Sequence, residues 1–450
     1  MFQKVLIANR GEIALRVLRA CRELGVRTVA VYSDADAHTL PVQLADESVN
    51  VGPSRPGASY LHIPNIIGAA VKTGADAIHP GYGFLSEDPY FAEICADHGI
   101  TFIGPPPEVM ETVGDKSMAR KIMSDAGLPL LPGTVEPVHT FEQARTIADE
   151  IGYPVVIKAT SGGGGRGITV VERAEDLRRA YQGTRATAQA LFGNRDVYVE
   201  RYLARARHVE VQVLCDAHGE AVHLGERDCS VQRRHQKLIE ESPSPAVGDE
   251  LRAEIGEAAL AGARAAGYRG AGTMEFLLDD DGRFWFMEMN ARIQVEHPVT
   301  EMVTGVDLIC EQIRVAAGLG LSVKQDDVVL SGYAVECRIN AEDPSRDFVP
   351  TPGRLDVFRP SSGPWTRVDT HCRSGDMIPP FYDSMIAKLI VWGPDRRTAL
   401  DRLRRALDEF EVEGPGVHTT RDFDRWLVDH PSFRAGDIHT DFLTHHAPPT

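Results

Sequence analysis

Residues 284–296 constrain the fold of this chain most strongly, because their side chains alternate between polar and apolar. Successive side chains of a β-strand point to opposite faces, so an extended segment presents one row and buries the other. The apolar row, which we expect to be buried, is Trp285, Met287, Met289, Ala291, Ile293 and Val295. The polar row is Glu288, Asn290, Arg292, Gln294 and Glu296. A half-solvated antiparallel strand shows the same alternation, but carboxylates, amides and a guanidinium together can also ligate a hard cation and bind a small anion.

A second strand pattern, at residues 272–276, lies just before this segment, and a short Asp-Asp-Asp-Gly turn joins the two. Antiparallel pairing across the turn would bring Glu275 beside Glu288 on one face of the sheet. With Asn290, these carboxylates form an all-oxygen site of the kind that magnesium uses together with substrate phosphates. The hairpin therefore predicts a magnesium site.

A glycine-rich run at residues 161–167 lies between two further strand patterns, 153–159 and 168–171. Glycine lets backbone N–H groups approach an anion closely and lets a loop hinge. Lys158 comes just before the run and is placed to reach a phosphate. A flexible linker would explain the run alone, and the chain has no P-loop motif. The flanking strands favour a loop that covers phosphates.

Strand and helix patterns alternate over roughly the first hundred residues, which indicates a parallel, doubly wound sheet. The turn at residues 9–12 lacks the three-glycine dinucleotide fingerprint, so no nicotinamide site is predicted. Residues 79–84 follow the carboxyl end of a strand, where ligands of α/β proteins usually bind, although a Pro- and Gly-rich connection explains them equally well. From Val329 onward, short strands and a helix at 397–410 indicate a third, α+β domain.

Charge and composition restrict the possible partners. The chain has 450 residues and a net charge of −17, which argues against nonspecific binding to nucleic acid or membranes. Its seven cysteines include no Cys-x-x-Cys pair, which suggests reduced thiols in the cytoplasm. We find no export signal and no run of membrane-spanning length. Anionic ligands must be held by local positive groups, and the basic cluster at 228–237 is one candidate, although a solvated loop would look the same.

Lysine is rare among the basic residues. Only eight of the 48 are lysines, at positions 4, 72, 116, 121, 158, 237, 324 and 388. In a chain that favours arginine, a lysine inside a motif suggests that a compact ammonium is needed there.

Several long motifs follow one another along the chain, at residues 5–16, 79–86, 114–116, 158–167, 226–237, 288–301 and 333–344. Together they resemble the biotin carboxylase family of ATP-grasp enzymes over nearly the whole chain. The resemblance implies an N-terminal doubly wound α/β domain at 1–113 and an ATP-grasp domain at 114–328, with a glycine-rich lid at about 131–203. It also implies a C-terminal α+β domain at 329–450.

The resemblance also implies a role for each matching residue. The nucleotide contacts would be Lys116, Lys158, Gly164, Gly165, Glu200, Arg201, Tyr202, Leu203, His208, Gln232, His235, Glu275 and Glu288. Glu275, Glu288 and Asn290 would hold two magnesium ions, or manganese. The bicarbonate ligands would be Lys237, Arg292, Gln294 and Val295. Glu296 would be the general base, and Arg338 and Tyr82 would bind biotin. Lys237, Arg292, Glu296 and Arg338 form the implied catalytic set.

The implied activity is ATP-dependent carboxylation of biotin N1 by bicarbonate through carboxyphosphate, as in an acyl-CoA carboxylase such as the acetyl-CoA carboxylase of fatty acid biosynthesis. Biotin would arrive on a separate biotin carboxyl carrier protein, because the chain has no Met-Lys-Met motif. A carboxyltransferase partner would select the final acceptor. A homodimer is also implied, with Arg16 and Glu23 at its contact.

Two departures from the family pattern stand out. Arg201 replaces a usual lysine, which concerns adenine contact, and Thr420 replaces a usual asparagine, which we expect to affect C-terminal packing and partner pairing rather than the chemistry. Two alternatives to the implied function also exist. An ATP-grasp relative that carboxylates a free nitrogen compound such as urea is the first. A non-catalytic nucleotide-binding or scaffold protein of a carboxylase complex is the second, and it is disfavoured because every group that the chemistry needs is present.

Overall fold

The computed structural model describes residues 1–134, 136–160, 167–234 and 236–446. Its N-terminal elements are β1 (Lys4–Ile7), α1 (Gly11–Glu23), β2 (Arg27–Ser33), α2 (Leu40–Leu44), β3 (Glu47–Gly52), α3 (Ile63–Thr73), β4 (Ala77–His79), α4 (Pro89–Asp97), β5 (Thr101–Phe102) and α5 (Pro107–Gly114). The strands form one parallel sheet in the order β3-β2-β1-β4-β5. The strand order reverses between β1 and β4, so the predicted doubly wound sheet is confirmed.

The central part of the chain contributes two sheets. Its elements are α6 (Lys116–Asp125), α7 (Phe141–Ile151), β6 (Val155–Ala159), β7 (Ile168–Val171), α8 (Leu177–Phe192), β8 (Val197–Arg201), β9 (Arg207–Cys215), β10 (Ala221–Arg233), β11 (Gln236–Ser242), α9 (Asp249–Ala265), β12 (Gly270–Leu278), β13 (Phe284–Asn290), α10 (His297–Thr304) and α11 (Leu308–Ala316). Strands β7, β6 and β8 form a small antiparallel sheet, in which β7 and β8 flank β6.

The C-terminal elements complete a larger sheet. They are β14 (Tyr333–Asn340), β15 (Glu342–Asp343), β16 (Val349–Pro350), β17 (Gly353–Arg354), β18 (Val357–Arg359), β19 (Thr366–Thr370), β20 (Met377–Ile378), β21 (Met385–Gly393), α12 (Arg396–Glu409), β22 (Glu411–Glu413), α13 (Arg421–Asp429), α14 (Pro431–Ala435) and α15 (Phe442–His445). Eight strands pair in the order β13-β12-β9-β10-β11-β14-β21-β19. Because β11 pairs with β14, this antiparallel sheet runs without a break from the central part into the C-terminal part.

The two faces of the large sheet differ in chemistry although both are buried. On β9, Val209, Val211 and Val213 belong to an apolar core. Alternate residues Glu210 and Gln212 point to the opposite face and have no exposed surface. Charged groups on that second face must therefore be compensated by one another, since an isolated buried charge is very unfavourable.

The predicted strand at 284–296 is only partly correct. The strand ends at Asn290, and residues 291–296 form a turn before α10 begins. The pairing with β12 also shifts at Met287, because Phe286 is opposite Phe276 and Glu288 is opposite Glu275. This bulge reverses the alternation, so Phe286 is buried whereas Met287 is only half-buried, contrary to the predicted apolar row.

All seven cysteines are free thiols. Among the described residues, none of the helices has the length and apolar character that a membrane span requires.

Candidate active site

The site lies on the polar face of the large sheet, where carboxylates of neighbouring strands are aligned. Glu210 on β9 is directly opposite Glu275 on β12, and Glu275 is directly opposite Glu288 on β13. The Asn290 amide nitrogen donates to Oε1 of Glu275 at 2.8 Å. The predicted pairing of Glu275 with Glu288 is therefore confirmed, and these side chains supply the hard oxygen ligands that fit magnesium.

Lys237 on β11 connects this row of carboxylates to Glu296. Its ammonium nitrogen lies 2.6 Å from Glu210 Oε2, 3.2 Å from Glu275 Oε1 and 2.6 Å from Glu296 Oε1. Burial lowers the pKa of Lys237, but the nearby Cys229 and the three carboxylates bring it well above its usual range. The ammonium is thus a permanent positive charge that an incoming anion can share.

Glu275 also contacts His208, whose Nε2 lies 3.0 Å from Oε2 of the carboxylate. Burial raises the pKa of Glu275, but Lys237 and His208 outweigh it and hold the pKa below its usual range. Ligand atoms of His208, Glu210 and Glu275 all lie within 4.8 Å of one another. Glu275 is therefore ionised and available to a cation bound between the strands.

Glu296 is fully buried and held between two cations. One carboxylate oxygen accepts from Lys237, and the other accepts from Nη2 of Arg338 at 2.9 Å. Burial raises the pKa of Glu296, but Lys237, Arg338 and Arg227 bring it well below its usual range. Arg338 is itself anchored by Glu240, which accepts from its Nε at 2.7 Å. Glu296 is therefore ionised and within reach of an anion bound between these cations, but it is a weak base as long as both cations remain on it.

The turn at residues 291–296 carries the predicted anion ligands. Arg292 donates from Nε to Glu87 and from Nη1 to Oε1 of Gln294, each at 2.9 Å. Gln294 is buried, and its Nε2 has no hydrogen-bond partner among the described residues. The Val295 carbonyl accepts a hydrogen bond from Lys388 at 2.9 Å. The structure thus brings Arg292 and Gln294 together, with a free amide donor next to them.

The residues assigned to the nucleotide lie partly around the small sheet. Lys158 on β6 is 2.7 Å from Oε2 of Glu200 on β8, and Arg120 on α6 contacts the other oxygen. Burial raises the pKa of Glu200, but Lys158 and Arg120 bring it below its usual range. The Glu200 carboxylate is therefore committed to two cations, and the adenine contact implied for this residue has to use its backbone.

Two further nucleotide candidates lie near the carboxylate row. Lys116, at the start of α6, has its ammonium 3.3 Å from Oε2 of Glu288. Gln232 on β10 is paired in register with Lys237. Gly164, Gly165 and His235 lie outside the described residues, so the roles implied for them stay predictions.

Arg201, one of the two departures from the family pattern, is the last residue of β8. This side chain is exposed and donates to the Ile151 carbonyl at 3.0 Å. The backbone N–H groups of Arg201 and Tyr202 donate to the carbonyls of Pro132 and Pro154. Tyr202 and Leu203 are half-buried. The side chain of Arg201 therefore lies in a surface contact, and the adenine contact implied for this residue stays a prediction.

The departure at Thr420 lies in the protein interior. Thr420 is fully buried, and its hydroxyl donates to the Arg338 carbonyl at 2.9 Å while accepting from the Asn340 N–H at 3.0 Å. Thr420 therefore supports the backbone of Arg338, and the expected effect of this departure on C-terminal packing and partner pairing stays a prediction. Tyr82, the other biotin candidate, lies after β4 and donates its hydroxyl to Glu12.

Several charged residues of the site were missed by sequence reasoning. They are Glu12, Glu87, Arg120, Glu210, Arg227, Glu240 and Lys388. A scarce lysine was the one available signal, and it pointed to Lys388. The others look like ordinary surface charges in a sequence, because nothing local shows that they are buried.

Comparisons with known proteins give a consistent picture. The family described as "Biotin carboxylase, N-terminal domain" matches residues 1–110, "Carbamoyl-phosphate synthase L chain, ATP binding domain" matches 115–324, and "Biotin carboxylase C-terminal domain" matches 336–445. The chain is 55% identical to a biotin carboxylase of Nostoc sp., over 98% of both chains. It is 53% identical to a biotin carboxylase of Bacillus subtilis, also over 98% of both chains.

Solved structures agree with the sequence matches. The biotin carboxylase–β-γ-ATP complex of Campylobacter jejuni has a TM-score of 0.96 and 47% identity, over 99% of both chains. The biotin carboxylase domain dimer of Hydrogenobacter thermophilus 2-oxoglutarate carboxylase, solved with MgADP, ADP and bicarbonate, has a TM-score of 0.94 and 47% identity. That match covers 99% of this chain and 98% of the other.

Proposed function

This chain belongs to the biotin carboxylase family, and we propose that it catalyses the ATP-dependent carboxylation of biotin N1 by bicarbonate. One observation carries the proposal: Lys237 and Arg338 converge on Glu296, directly beside the paired carboxylates of Glu275 and Glu288. Lys237 and Arg338 can bind a small anion that Glu296 deprotonates. Glu275 and Glu288 can hold a magnesium-nucleotide complex. Adjacent sites of this kind place bicarbonate next to the phosphoryl group that it attacks.

Bicarbonate activation would be the task of the turn at 291–296 and Lys237. We assign anion binding to Lys237, Arg292, Gln294 and Val295, and proton abstraction to Glu296. Three carboxylates share the Lys237 ammonium in this structure, so a bound anion would draw it away from Glu296 and raise the pKa of that carboxylate. The base would thus strengthen when its substrate is in place.

Phosphoryl transfer requires that charge be neutralised and that the reactants be held in line. Glu275, Glu288 and Asn290 would hold magnesium, which stabilises charge on the transferred group when bound. Lys116 and Lys158 would contact the nucleotide from the other side. Covering of the phosphates by the glycine-rich run at 161–167, most of which lies outside the described residues, stays a prediction.

Biotin carboxylation would follow from carboxyphosphate, which breaks down to carbon dioxide and phosphate. Phosphate can remove the N1 proton of biotin, and the Arg338 guanidinium can stabilise the charge that develops on the ureido oxygen. Burial and Glu12 raise the pKa of Tyr82 well above its usual range, and the charge of Arg338 nearby opposes this. We therefore assign biotin binding to both residues.

We further propose that biotin arrives on a biotin carboxyl carrier protein and that a carboxyltransferase uses the product. A homodimer with Arg16 and Glu23 at its contact is proposed as well, because the matched biotin carboxylase domain of Hydrogenobacter thermophilus was solved as a dimer. The free thiols support a cytoplasmic location. Domain boundaries after residues 113 and 328 stay part of this proposal.

The function is tested by ADP release from the purified chain with ATP, magnesium and bicarbonate, with and without free biotin. We expect bicarbonate-dependent ADP release that biotin stimulates and that urea at the same concentration does not. Stimulation by urea in place of biotin would contradict the proposal. Absence of turnover under every condition would instead indicate a non-catalytic protein.

A pH dependence is expected from Glu240, which holds Arg338 in place. Burial, together with Glu296 nearby, raises the pKa of Glu240 to about 7, even though Arg338 opposes this. Below pH 7 the carboxyl becomes protonated and no longer holds the guanidinium by charge. Biotin-stimulated turnover at constant bicarbonate concentration should therefore be about tenfold lower at pH 6 than at pH 8, since one unit below its pKa about a tenth of a group is ionised.

The matched variant for this pH profile is Glu240→Gln, which cannot ionise. It should have low turnover at pH 8 and lose the inflection near pH 7. In the wild type, the free energy of unfolding should rise as turnover falls. A carboxyl whose pKa is raised on folding stabilises the folded state as the pH falls from about 7 towards the usual pKa of glutamate. A Glu240→Gln variant that kept the wild-type inflection would show that another group titrates.

A further inference from the structure

Lys388 is a fully buried lysine to which the proposed reaction assigns no role. It lies in the middle of β21, within the large sheet, and has no exposed surface. An ammonium buried in this way is strongly unfavourable unless other groups compensate its charge. Its contacts therefore indicate why the chain, which favours arginine, keeps a lysine here.

The ammonium of Lys388 connects three parts of the chain. It donates to the Val295 carbonyl at 2.9 Å and lies 3.0 Å from Oε1 of Glu12, at the start of α1. Burial lowers the pKa of Lys388, but Glu12, Glu336 and Asp369 bring it above its usual range. The lysine is thus charged, and one of its donors is directed at the turn that carries the base.

The position of Val295 makes this contact important. It lies between Gln294 and Glu296, in a segment that belongs to neither a strand nor a helix. The Glu296 side chain of that turn is bound to Lys237 and Arg338. In the proposed reaction, substrates would contact both of these partners. The bond from Lys388 acts instead on the backbone and comes from a strand that is paired on both sides.

We propose that Lys388 is a positioning residue that holds the turn 291–296 so that Gln294, Val295 and Glu296 face bicarbonate. This inference rests on the proposed function. A hydrogen bond from a charged donor to a buried carbonyl is among the stronger ones in proteins. It fixes the turn while leaving the carboxylate of Glu296 free to exchange partners during the reaction. Arg338, which binds the Glu296 carboxylate, is directly opposite Lys388 in the neighbouring strand. The carboxylate of Glu296 and the carbonyl of Val295 are therefore both held by one pair of strands.

The test is Lys388→Met, which keeps the length of the side chain and removes its charge. We expect a 10- to 100-fold loss, on the order of the contribution of a charged hydrogen bond, in kcat/KM for bicarbonate. The affinity for a fluorescent ADP analogue should stay within about twofold, because Lys116 and Lys158 do not contact Lys388. Hydrogen exchange of the amides of residues 291–296 should also become faster. The matched control is Lys324→Met, an exposed lysine whose loss should change none of these quantities.

The outcomes separate this inference from the proposed function. Lack of biotin stimulation in the wild-type chain would refute the function, whereas the exchange rates of the turn report on Lys388 independently of turnover. Equal losses in bicarbonate and nucleotide parameters, or unchanged exchange at 291–296, would overturn the positioning role. If Lys388→Met does not fold, Lys388→Gln keeps the position polar, and the same selective loss for bicarbonate is expected of it; wild-type bicarbonate kinetics in that variant would overturn the role.

Discussion

Replacing Glu296 with glutamine is expected to lower bicarbonate-dependent turnover by about 10²- to 10⁴-fold, the usual contribution of a positioned general base. The amide keeps the size of the side chain and can still contact Arg338, but it cannot accept a proton. Nucleotide affinity should change by less than about twofold, because Glu296 contacts Lys237 and Arg338 rather than Lys116 or Lys158. Steady-state ADP release and titration with a fluorescent ADP analogue measure the two quantities.

The matched control for this variant is Glu336→Gln. Glu336 is also fully buried, on β14, and neither of its carboxylate oxygens has a hydrogen-bond partner among the described residues. Burial raises the pKa of Glu336 well above its usual range, although Lys388 opposes this, which favours the protonated form that an amide resembles in size and shape. Turnover of this control should stay within about threefold of the wild type. Similar losses in both variants would show that general disturbance of the sheet, not loss of a base, explains the effect of Glu296→Gln.

The core of the site could be predicted because its spacing is local. Glu275 and Glu288 flank a short hairpin turn, and antiparallel pairing across a turn determines which residues lie opposite each other. The end of the strand at Asn290 could not be predicted in this way. The N–H of Ala291 donates to Glu87, which is distant in sequence, and the chain leaves the sheet at this point. Alternation alone does not distinguish a paired strand from an extended turn, so the pattern continues although the strand does not.

The buried charges were beyond sequence reasoning for a different reason. Glu240 and Arg338 lie about a hundred residues apart and meet because β11 pairs with β14, a pairing that also joins the predicted second and third domains in one sheet. Each charge taken alone looks like part of a solvated face. Only the resemblance to a family pointed to Arg338, and neither it nor the residue pattern pointed to Glu240.

Arg227 is the residue whose replacement should affect stability most. It has no exposed surface, and its guanidinium donates to Glu210 at 2.6 Å, Gln212 at 2.8 Å, Thr300 at 3.0 Å and Thr273 at 3.2 Å. Arg227→Met removes the cation and leaves these buried acceptors without it. Breaking a buried ion pair from one side typically costs about 3–5 kcal/mol, and we expect a loss of this size in the free energy of unfolding by urea.

The matched control is Arg233→Met, on the same strand. Arg233 pairs with Asp347, which is 66% exposed, and such surface pairs contribute about 0–1 kcal/mol. If the large loss at Arg227 arises from the uncompensated carboxylate, Glu210→Gln in the Arg227→Met background should restore part of the stability, because the charge that lost its partner is then removed as well. Equal stabilities of Arg227→Met and Arg233→Met would contradict this account. A double variant less stable than Arg227→Met would show instead that Glu210 is needed mainly by Lys237, with which it makes its other ion pair at 2.6 Å.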